Sequence, residues 1–187
     1  GGSTPPETVL IVTAASGHAS GGRPSFIEVR DGETELCDEL LQTPLLIHRI
    51  GESEFGTRCR TLLGPQDLAP TLCEFFGVAQ CGPGLSLKDP QDTGLSSRRH
   101  QLLHLSPCGE VAIRDEEWLL VLPDRSLLNR ESLEESDDLL LEAKLYALPD
   151  DLWQVNDVSS LRSDVVFRLA AKLQTELRAA GRLPAHN

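Results

Sequence analysis

The chain of 187 residues is long enough for one domain with a hydrophobic core, and its 40% hydrophobic and 25% charged residues exclude extensive disorder. Its 17 basic and 29 acidic residues give a formal net charge of −12, which disfavours nucleic acid and anionic lipid surfaces as partners. No apolar run approaches the roughly 20 residues of a membrane helix, so we expect no membrane span.

Two apolar runs in the first part of the chain predict strands. Residues 8–13 (Thr-Val-Leu-Ile-Val-Thr) and 44–50 (Pro-Leu-Leu-Ile-His-Arg-Ile) lack polar alternation, as do strands that are buried on both faces of a parallel sheet. Residues 16–31, between them, are rich in glycine, serine and charge, which is typical of a loop at the carboxyl end of a strand. The pattern therefore favours a parallel α/β sheet.

Residues 67–77 predict an amphipathic helix. Asp67 is a candidate N-cap and Gly77 a stop signal. Four apolar side chains share one helical face: Leu68, Leu72, Phe75 and Phe76. The polar residues 88–99 follow a Gly-Pro-Gly turn and indicate a boundary between two parts of the chain.

The second part of the chain has short apolar runs separated by turn residues, which predict an antiparallel sheet. These runs are residues 101–105, 111–114, 118–122 and 145–148. Residues 132–135 (Ser-Leu-Glu-Glu) have the form of a capping box, so we expect a short helix within the acidic interval 123–144. Apolar residues at helical spacing over residues 161–177 predict a C-terminal helix that packs on this sheet: Val165, Leu169, Leu173 and Leu177.

The cysteines do not indicate a disulfide framework. They are odd in number, widely spaced and form no Cys-x-x-Cys pair, so we expect buried free thiols. They are Cys37, Cys59, Cys73, Cys81 and Cys108. Residues 1–6 have no signal-peptide pattern, and because the chain contains no methionine we expect it to be a piece of a longer polypeptide.

Several segments, taken in order, resemble the carboxyl-terminal half of the sulfatase family within the alkaline-phosphatase-like superfamily. Residues 8–17 stand where that family has a strand leading into Thr-Ser-Asp-His-Gly, and residues 43–47 resemble its Val-Pro-Leu-Ile-Ile strand. The most specific match is Asp-Leu-Ala-Pro-Thr at 67–71, with Gly-Val at 77–78 and Gly-Leu-Ser-Leu at 84–87. It is similar to the family's Asp-x-x-Pro-Thr helix, Gly-Val turn and Gly-x-Ser-Leu segment.

A last match covers the second part of the chain. Ala-Ile-Arg at 112–114 with Trp118, and Leu-Tyr-Ala-Leu at 145–148 continuing through 151–156, resemble two strands and the closing segment of that family. The resemblance implies an α/β fold in which residues 1–95 are the C-terminal part of a sulfatase-like core. Residues 96–187 would then be a small α+β subdomain, with an antiparallel sheet and a C-terminal helix, that helps to wall the substrate cleft.

The resemblance also implies a chemistry for which this chain lacks residues. In the family, an oxidised Cys or Ser in a Cys/Ser-x-Pro-x-Arg motif attacks the sulfur of the ester while a divalent cation holds the oxyanion. None of the five cysteines begins such a motif, which would lie upstream. We therefore expect no catalytic residue in this chain.

The cation should take a carboxylate from the end of the first strand, because Ca²⁺ and Mg²⁺ prefer anionic oxygen. One alignment of residues 13–18 places Ala15 at the metal-binding Asp and Ser16 at the following His; another places Gly17 at the Asp and keeps His18. Neither supplies a carboxylate, so we expect no metal ligand and no cofactor here. Losing one anionic ligand would also impair a complete enzyme.

We therefore expect a sulfatase-like domain that is non-catalytic and has a structural or binding role. The alternative is part of an active sulfuric-ester or phosphoester hydrolase that uses Ca²⁺ or Mg²⁺ and whose nucleophile half lies outside this chain. The expected partner is that N-terminal half or another protein. Ser16, His18 and Arg23 would line the mouth of the former active site. These residues either keep a residual contact with an anion or simply belong to a flexible loop.

Two other groups of residues are weaker candidates. His100, His104 and Cys108 could supply zinc ligands, but they fall in a predicted strand and turn and no fourth ligand is evident. The acidic residues 131–142 are either a solvated face or a docking site for a protein.

Overall fold

The computed structural model contains both helices and strands, and its strands form two small antiparallel sheets. The structure describes residues 8–15, 17, 36–50, 58, 62–79, 82–87, 100–107, 109–130, 133, 136–151 and 153–183. In chain order the elements are β1 (Val9–Thr13), α1 (Asp38–Leu41), β2 (Leu45–Arg49), α2 (Leu68–Phe75), β3 (Leu102–Leu105), β4 (Val111–Arg114), β5 (Trp118–Leu122), α3 (Asp137–Glu142), β6 (Lys144–Ala147) and α4 (Ser163–Ala179). Short 3₁₀ helices span Pro65–Asp67 and Arg125–Leu128.

The first sheet consists of β1 and β2, and its strands run antiparallel. Val9 lies opposite Arg49, and Thr13 lies opposite Leu45. The prediction of parallel strands is wrong for this pair, because apolar runs of this kind are common in parallel sheets but do not determine strand direction. The predicted burial on both faces is wrong as well, since Leu10, Val12 and Leu46 are exposed.

The second sheet has the order β3-β4-β5-β6, with every neighbouring pair antiparallel. This confirms the sheet predicted from the short apolar runs. One face of the sheet carries Ile113, Leu120 and Leu145, which are opposite one another in register and fully buried. Helix α4 packs on this face and forms the larger hydrophobic core with it.

The opposite face of this sheet is covered by residues 36–41. Leu36 and Leu41 join a second hydrophobic cluster on that face, which contains the sheet residues Ala112, Leu119, Val121 and Tyr146, and Leu148 just after β6. The four-stranded sheet is therefore a middle layer between α4 and the segment that contains α1. This contact crosses the predicted division at residue 95, and the division itself stays a prediction.

The predicted C-terminal helix is confirmed, and all four residues of its predicted stripe are buried: Val165, Leu169, Leu173 and Leu177. The short helix expected between residues 123 and 144 is α3. Its N-cap is Ser136, whose Oγ accepts a hydrogen bond from the Leu139 N–H at 3.3 Å. Ser132 and Glu134 of the predicted capping box lie outside the described residues.

Cys37 is a buried free thiol and Cys73 a partly buried one, whereas Cys59, Cys81 and Cys108 lie outside the described residues. None of the helices in the described ranges is both long enough and apolar enough to cross a membrane. Phe76 is exposed, so it does not join the buried side of α2 as predicted.

Candidate functional site

The carboxyl end of β1 is where the resemblance places a metal-binding carboxylate and the mouth of the former active site. Thr13, Ala14 and Ala15 are exposed there, and each side chain ends in a methyl group or a hydroxyl. Ser16, His18 and Arg23, the predicted anion contacts, lie outside the described residues, so their role stays a prediction.

Gly17 fastens the loop after β1 to helix α1. Its N–H donates a hydrogen bond to the Leu40 carbonyl oxygen at 3.1 Å, which satisfies one of the carbonyls left open at the end of this short helix. A Cβ atom at position 17 would overlap the Glu39 carbonyl oxygen and would lie 2.8 Å from that of Gln42. Position 17 therefore has no room for a side chain, and in particular none for the aspartate of one family alignment.

A buried polar cluster around Asp38 joins α1 to the four-stranded sheet. Arg114, at the end of β4, forms an ion pair with Asp38, and the Gln42 side-chain amide donates a hydrogen bond to the same carboxylate. The Asp38 N–H donates to Gln154 Oε1 at 3.3 Å. Arg114 and Gln154 lie 76 and 116 residues from Asp38 in the sequence, so no local pattern indicates that they meet it.

Two opposite effects act on the pKa of the Asp38 carboxyl group. Burial raises the pKa of the Asp38 carboxyl group, while the Arg114 guanidinium and the hydrogen bond from Gln42 lower it. The net direction is upward because the carboxylate, which is only 3% exposed, loses more hydration than the ion pair returns. The cluster holds α1 on the sheet at an electrostatic cost, and its arginine is already engaged by a carboxylate.

His104 lies in β3 beside this cluster, and among the described residues it is not grouped with other potential metal ligands. Burial, together with the nearby Arg114 charge, lowers its pKa to about 4, so the imidazole is neutral at pH 7. Its Nε2 is buried and has no hydrogen-bond partner in the described ranges. No group of three or more potential metal ligands occurs among the described residues, and Cys108 of the predicted zinc set lies outside them.

The most specific sequence match, residues 67–71 with 84–87, is a structural unit. Thr71 Oγ1 donates to the Asp67 carbonyl oxygen at 2.5 Å and accepts from the Leu87 N–H at 2.9 Å. A Cβ atom at Gly84 would overlap the Gln66 carbonyl oxygen, so glycine permits the two segments to approach. Thr71 and Asp67 are both buried, which commits them to internal hydrogen bonds.

Asp67 lies at the predicted N-cap position of α2, but its side chain does not cap this helix. It was expected to cap α2 with its side chain, but its carboxylate accepts the Gly64 N–H at 2.7 Å, at the start of the preceding 3₁₀ helix. Its backbone is already helical, with φ −83° and ψ −17°. The 3₁₀ turn moves the start of the helical segment upstream, so the carboxylate serves that turn.

The last sequence match also has internal roles. The Asp151 carboxylate accepts the N–H groups of Val155 at 3.0 Å and Asn156 at 2.8 Å, which shapes the turn after β6. The Arg162 guanidinium lies 5.0 Å from the centre of the Trp118 ring, a cation–π contact just before α4. These residues connect β5, β6 and α4 to one another.

An open depression of about 330 Å³ lies between α3 and the 3₁₀ turn at residues 125–128. It is lined by Pro123, Asp124, Ser126, Leu127, Arg130, Asp138, Leu141 and Glu142. Arg130, the cation of this lining, donates to Asp138 at 2.5 Å and to Ser136 Oγ at 3.0 Å. The arginine in this depression is therefore already paired with a carboxylate. That carboxylate, Asp138, belongs to the acidic segment 131–142, which was considered above as a docking site.

No family model matches this chain, and no curated protein matches it either.

Proposed function

We propose that this chain is the C-terminal portion of a sulfatase-like α/β domain and that it is non-catalytic, with a structural or binding role. The observation that supports the proposal is the packing of Gly17 against α1, at a position that one alignment with the family equates with its metal carboxylate. In the alignment that puts position 17 at the metal-binding Asp, a carboxylate side chain has no space. In the other alignment the position is Ala15.

The internal use of the matched residues supports a structural role. Asp67, Thr71 and Arg114 belong to the segments that resemble the family, and each forms bonds that join two parts of this chain. Such residues hold a fold together whether or not a reaction takes place on it. A chain can therefore keep this pattern after the chemistry has gone, and likeness of fold is not likeness of function.

The exposed apolar residues of the β1–β2 sheet support a binding role. An isolated two-stranded sheet is marginally stable in water, and exposed contiguous apolar surface is typical of an interface. In the proposed assembly, the N-terminal half of the sulfatase-like core or another protein would cover this sheet.

An ester-hydrolysis assay tests the proposal. The chain is incubated with chromogenic sulfate and phosphate monoesters, with and without Ca²⁺ or Mg²⁺, and release of the chromophore is followed. We expect no turnover above the protein-free reaction. Cation-dependent turnover that Ser16→Ala or His18→Ala abolishes would instead identify a hydrolase site, and a Cys/Ser-x-Pro-x-Arg motif upstream in the native reading frame would favour the active-enzyme alternative.

A further inference from the structure

One side of the β1–β2 sheet, here called the outer face, carries exposed aliphatic side chains. Leu10 lies opposite His48 and Val12 opposite Leu46, and the Ile50 N–H extends the pairing by donating to the Thr8 carbonyl oxygen at 2.8 Å. Because side chains alternate along a strand, these residues point to the same side. The exposed fractions are 48% for Leu10, 51% for Val12, 54% for Leu46 and 59% for Ile50.

The other side of this sheet is partly covered. Val9, Ile11 and Ile47 are half-buried, and the Arg49 guanidinium lies 5.1 Å from the centre of the Phe75 ring in α2. The described part of the chain thus covers one side of the sheet and leaves the outer face largely in water. A sequence that is apolar on both faces is typical of a strand with cover on both.

The exposed groups determine how an occupant must approach. A strand added to the edge of the sheet would pair backbone groups and leave the outer-face side chains in water. A helix laid across the face would bury them under its own apolar stripe. Five residues of strand span about 16 Å, which corresponds to about 11 residues, or three turns, of helix.

Charge distinguishes between the possible occupants. A second copy of this chain would bring two formal charges of −12 together, giving −24 in a dimer, which opposes self-association. The outer face itself has no carboxylate, and its one ionisable side chain is His48. An occupant that is apolar at its centre and basic at its margins is attracted by the acidic chain without placing a charge on the aliphatic surface.

We propose that the outer face binds an amphipathic helix of about three turns, with basic residues on its polar side, from another polypeptide. The inference rests on the binding role proposed above and specifies the partner's chemistry. Affinity comes from burying Leu10, Val12, Leu46 and Ile50. The basic margin supplies long-range attraction, which salt weakens.

A model helix tests the proposal directly. The probe is a fluorescein-labelled peptide of about 14 residues, with Leu at positions i, i+3, i+4 and i+7 and Lys elsewhere. Two control peptides have the same Leu pattern with Glu in place of Lys, or the first composition in scrambled order. The chain is compared with the outer-face variant Val12→Thr/Leu46→Thr and with the matched control Leu141→Gln, which changes a leucine of α3 that is 81% exposed. Circular dichroism establishes that each variant is folded.

We expect saturable binding of the Leu/Lys helix, with the Kd raised about tenfold or more by the outer-face variant and unchanged by Leu141→Gln. The Leu/Glu and scrambled peptides should bind at least about tenfold more weakly. Equal binding of the scrambled peptide, equal binding by the outer-face variant, or a dimer that this variant dissociates would overturn the inference. None of those results would bear on the proposal that the chain is non-catalytic, because the ester-hydrolysis assay tests that proposal separately.

Discussion

Asp67 accepts a hydrogen bond from the backbone N–H of Leu85 at 2.9 Å, which ties the segment 84–87 to the start of α2. The Asp67 side chain is 1% exposed, so this bond replaces one to water. Residues that match the sulfatase pattern at two separate places in the sequence therefore contact each other directly. The two segments are joined by this bond and by the one from the Leu87 N–H to Thr71 Oγ1.

Replacing Asp67 by alanine should release the segment 84–87. The N–H groups of Gly64 and Leu85 would lose a charged acceptor, and the expected loss is about 2 kcal/mol in the free energy of opening at these amides. That corresponds to roughly 30-fold faster hydrogen exchange at Leu85, which is measured by NMR. Thr71→Val should similarly accelerate exchange at Leu87, whereas Thr71→Ser retains the hydroxyl and should not. Unchanged protection in Asp67→Ala would show that the carboxylate does not hold the segment.

Gly17→Ala should destabilise the chain by about 1–3 kcal/mol, because the added methyl group overlaps the Glu39 carbonyl oxygen. At a position with free space the same change would stabilise by up to about 1 kcal/mol through the unfolded state, so the sign itself is informative. Urea unfolding provides the measurement. Ala15→Asp is the control, since Ala15 is exposed and a carboxylate there meets water. A neutral or stabilising Gly17→Ala would contradict the close packing of this loop on α1.

The elements that the sequence predicts well are those whose periodicity arises from one neighbouring layer. The stripe from Val165 to Leu177 joins the same hydrophobic core as one face of the four-stranded sheet, and the short strands of that sheet each have turn residues at their ends. The direction of β1 relative to β2 was not predictable in the same way. Both strands have the composition of a buried strand, and composition is the same in either direction.

The polar contacts were the least predictable part. Asp38 and Arg114 are separated by 76 residues, and Asp38 lies in an acidic stretch with the appearance of ordinary surface. Asp67 precedes a helix, as an N-cap does, yet a 3₁₀ turn and the segment 84–87 share its carboxylate. Such bonds depend on how distant segments meet, which local spacing does not encode. Residues 13–18 at the carboxyl end of β1 contain no carboxylate, which is visible in the sequence, whereas the lack of room for a side chain at Gly17 is visible only in the packing.

His104 should make the chain less stable as the pH falls from 6.5 towards 4. Its pKa is lowered from 6.5 to about 4 in the folded chain, so between these values the unfolded chain binds more protons and acidification favours unfolding. The expected loss between pH 7 and pH 4.5 is about 2.5 kcal/mol as an upper estimate. Urea unfolding at the two pH values gives the difference, and an NMR titration of the imidazole gives the pKa.

His104→Leu isolates this contribution from the other groups that titrate in the same range. Asp38 has the opposite sign, because burial raises its pKa and protonation therefore stabilises the folded chain. The variant lacks the imidazole and keeps Asp38, so its stability should fall less between pH 7 and pH 4.5 than that of the unchanged chain. An equal fall in both proteins, or an imidazole that titrates near 6.5, would contradict the buried neutral state of His104.

Gln174→Met should destabilise the chain by about 1–3 kcal/mol, although it replaces a polar residue by an apolar one on the buried side of α4. The Gln174 amide donates to the carbonyl oxygens of Leu128 at 2.7 Å and Arg130 at 2.9 Å, and the methionine leaves the buried Leu128 carbonyl without this donor. Methionine has nearly the same size and helix propensity as glutamine, so the loss reflects the hydrogen bonds.

Lys172→Met is the matched control for Gln174→Met, because Lys172 lies on the exposed side of α4 and the change should alter the free energy of unfolding by less than about 0.5 kcal/mol. Gln174→Glu sharpens the test. An ionised carboxylate can only accept, so it would face two carbonyl oxygens at pH 7, whereas a protonated one can donate to one of them. The penalty of Gln174→Glu relative to the unchanged chain should therefore be smaller at pH 4 than at pH 7. A penalty that does not change with pH would mean that the two carbonyl groups find other donors and that the Gln174 hydrogen bonds do not hold α4, since Arg178 also donates to the Arg130 carbonyl oxygen at 3.2 Å.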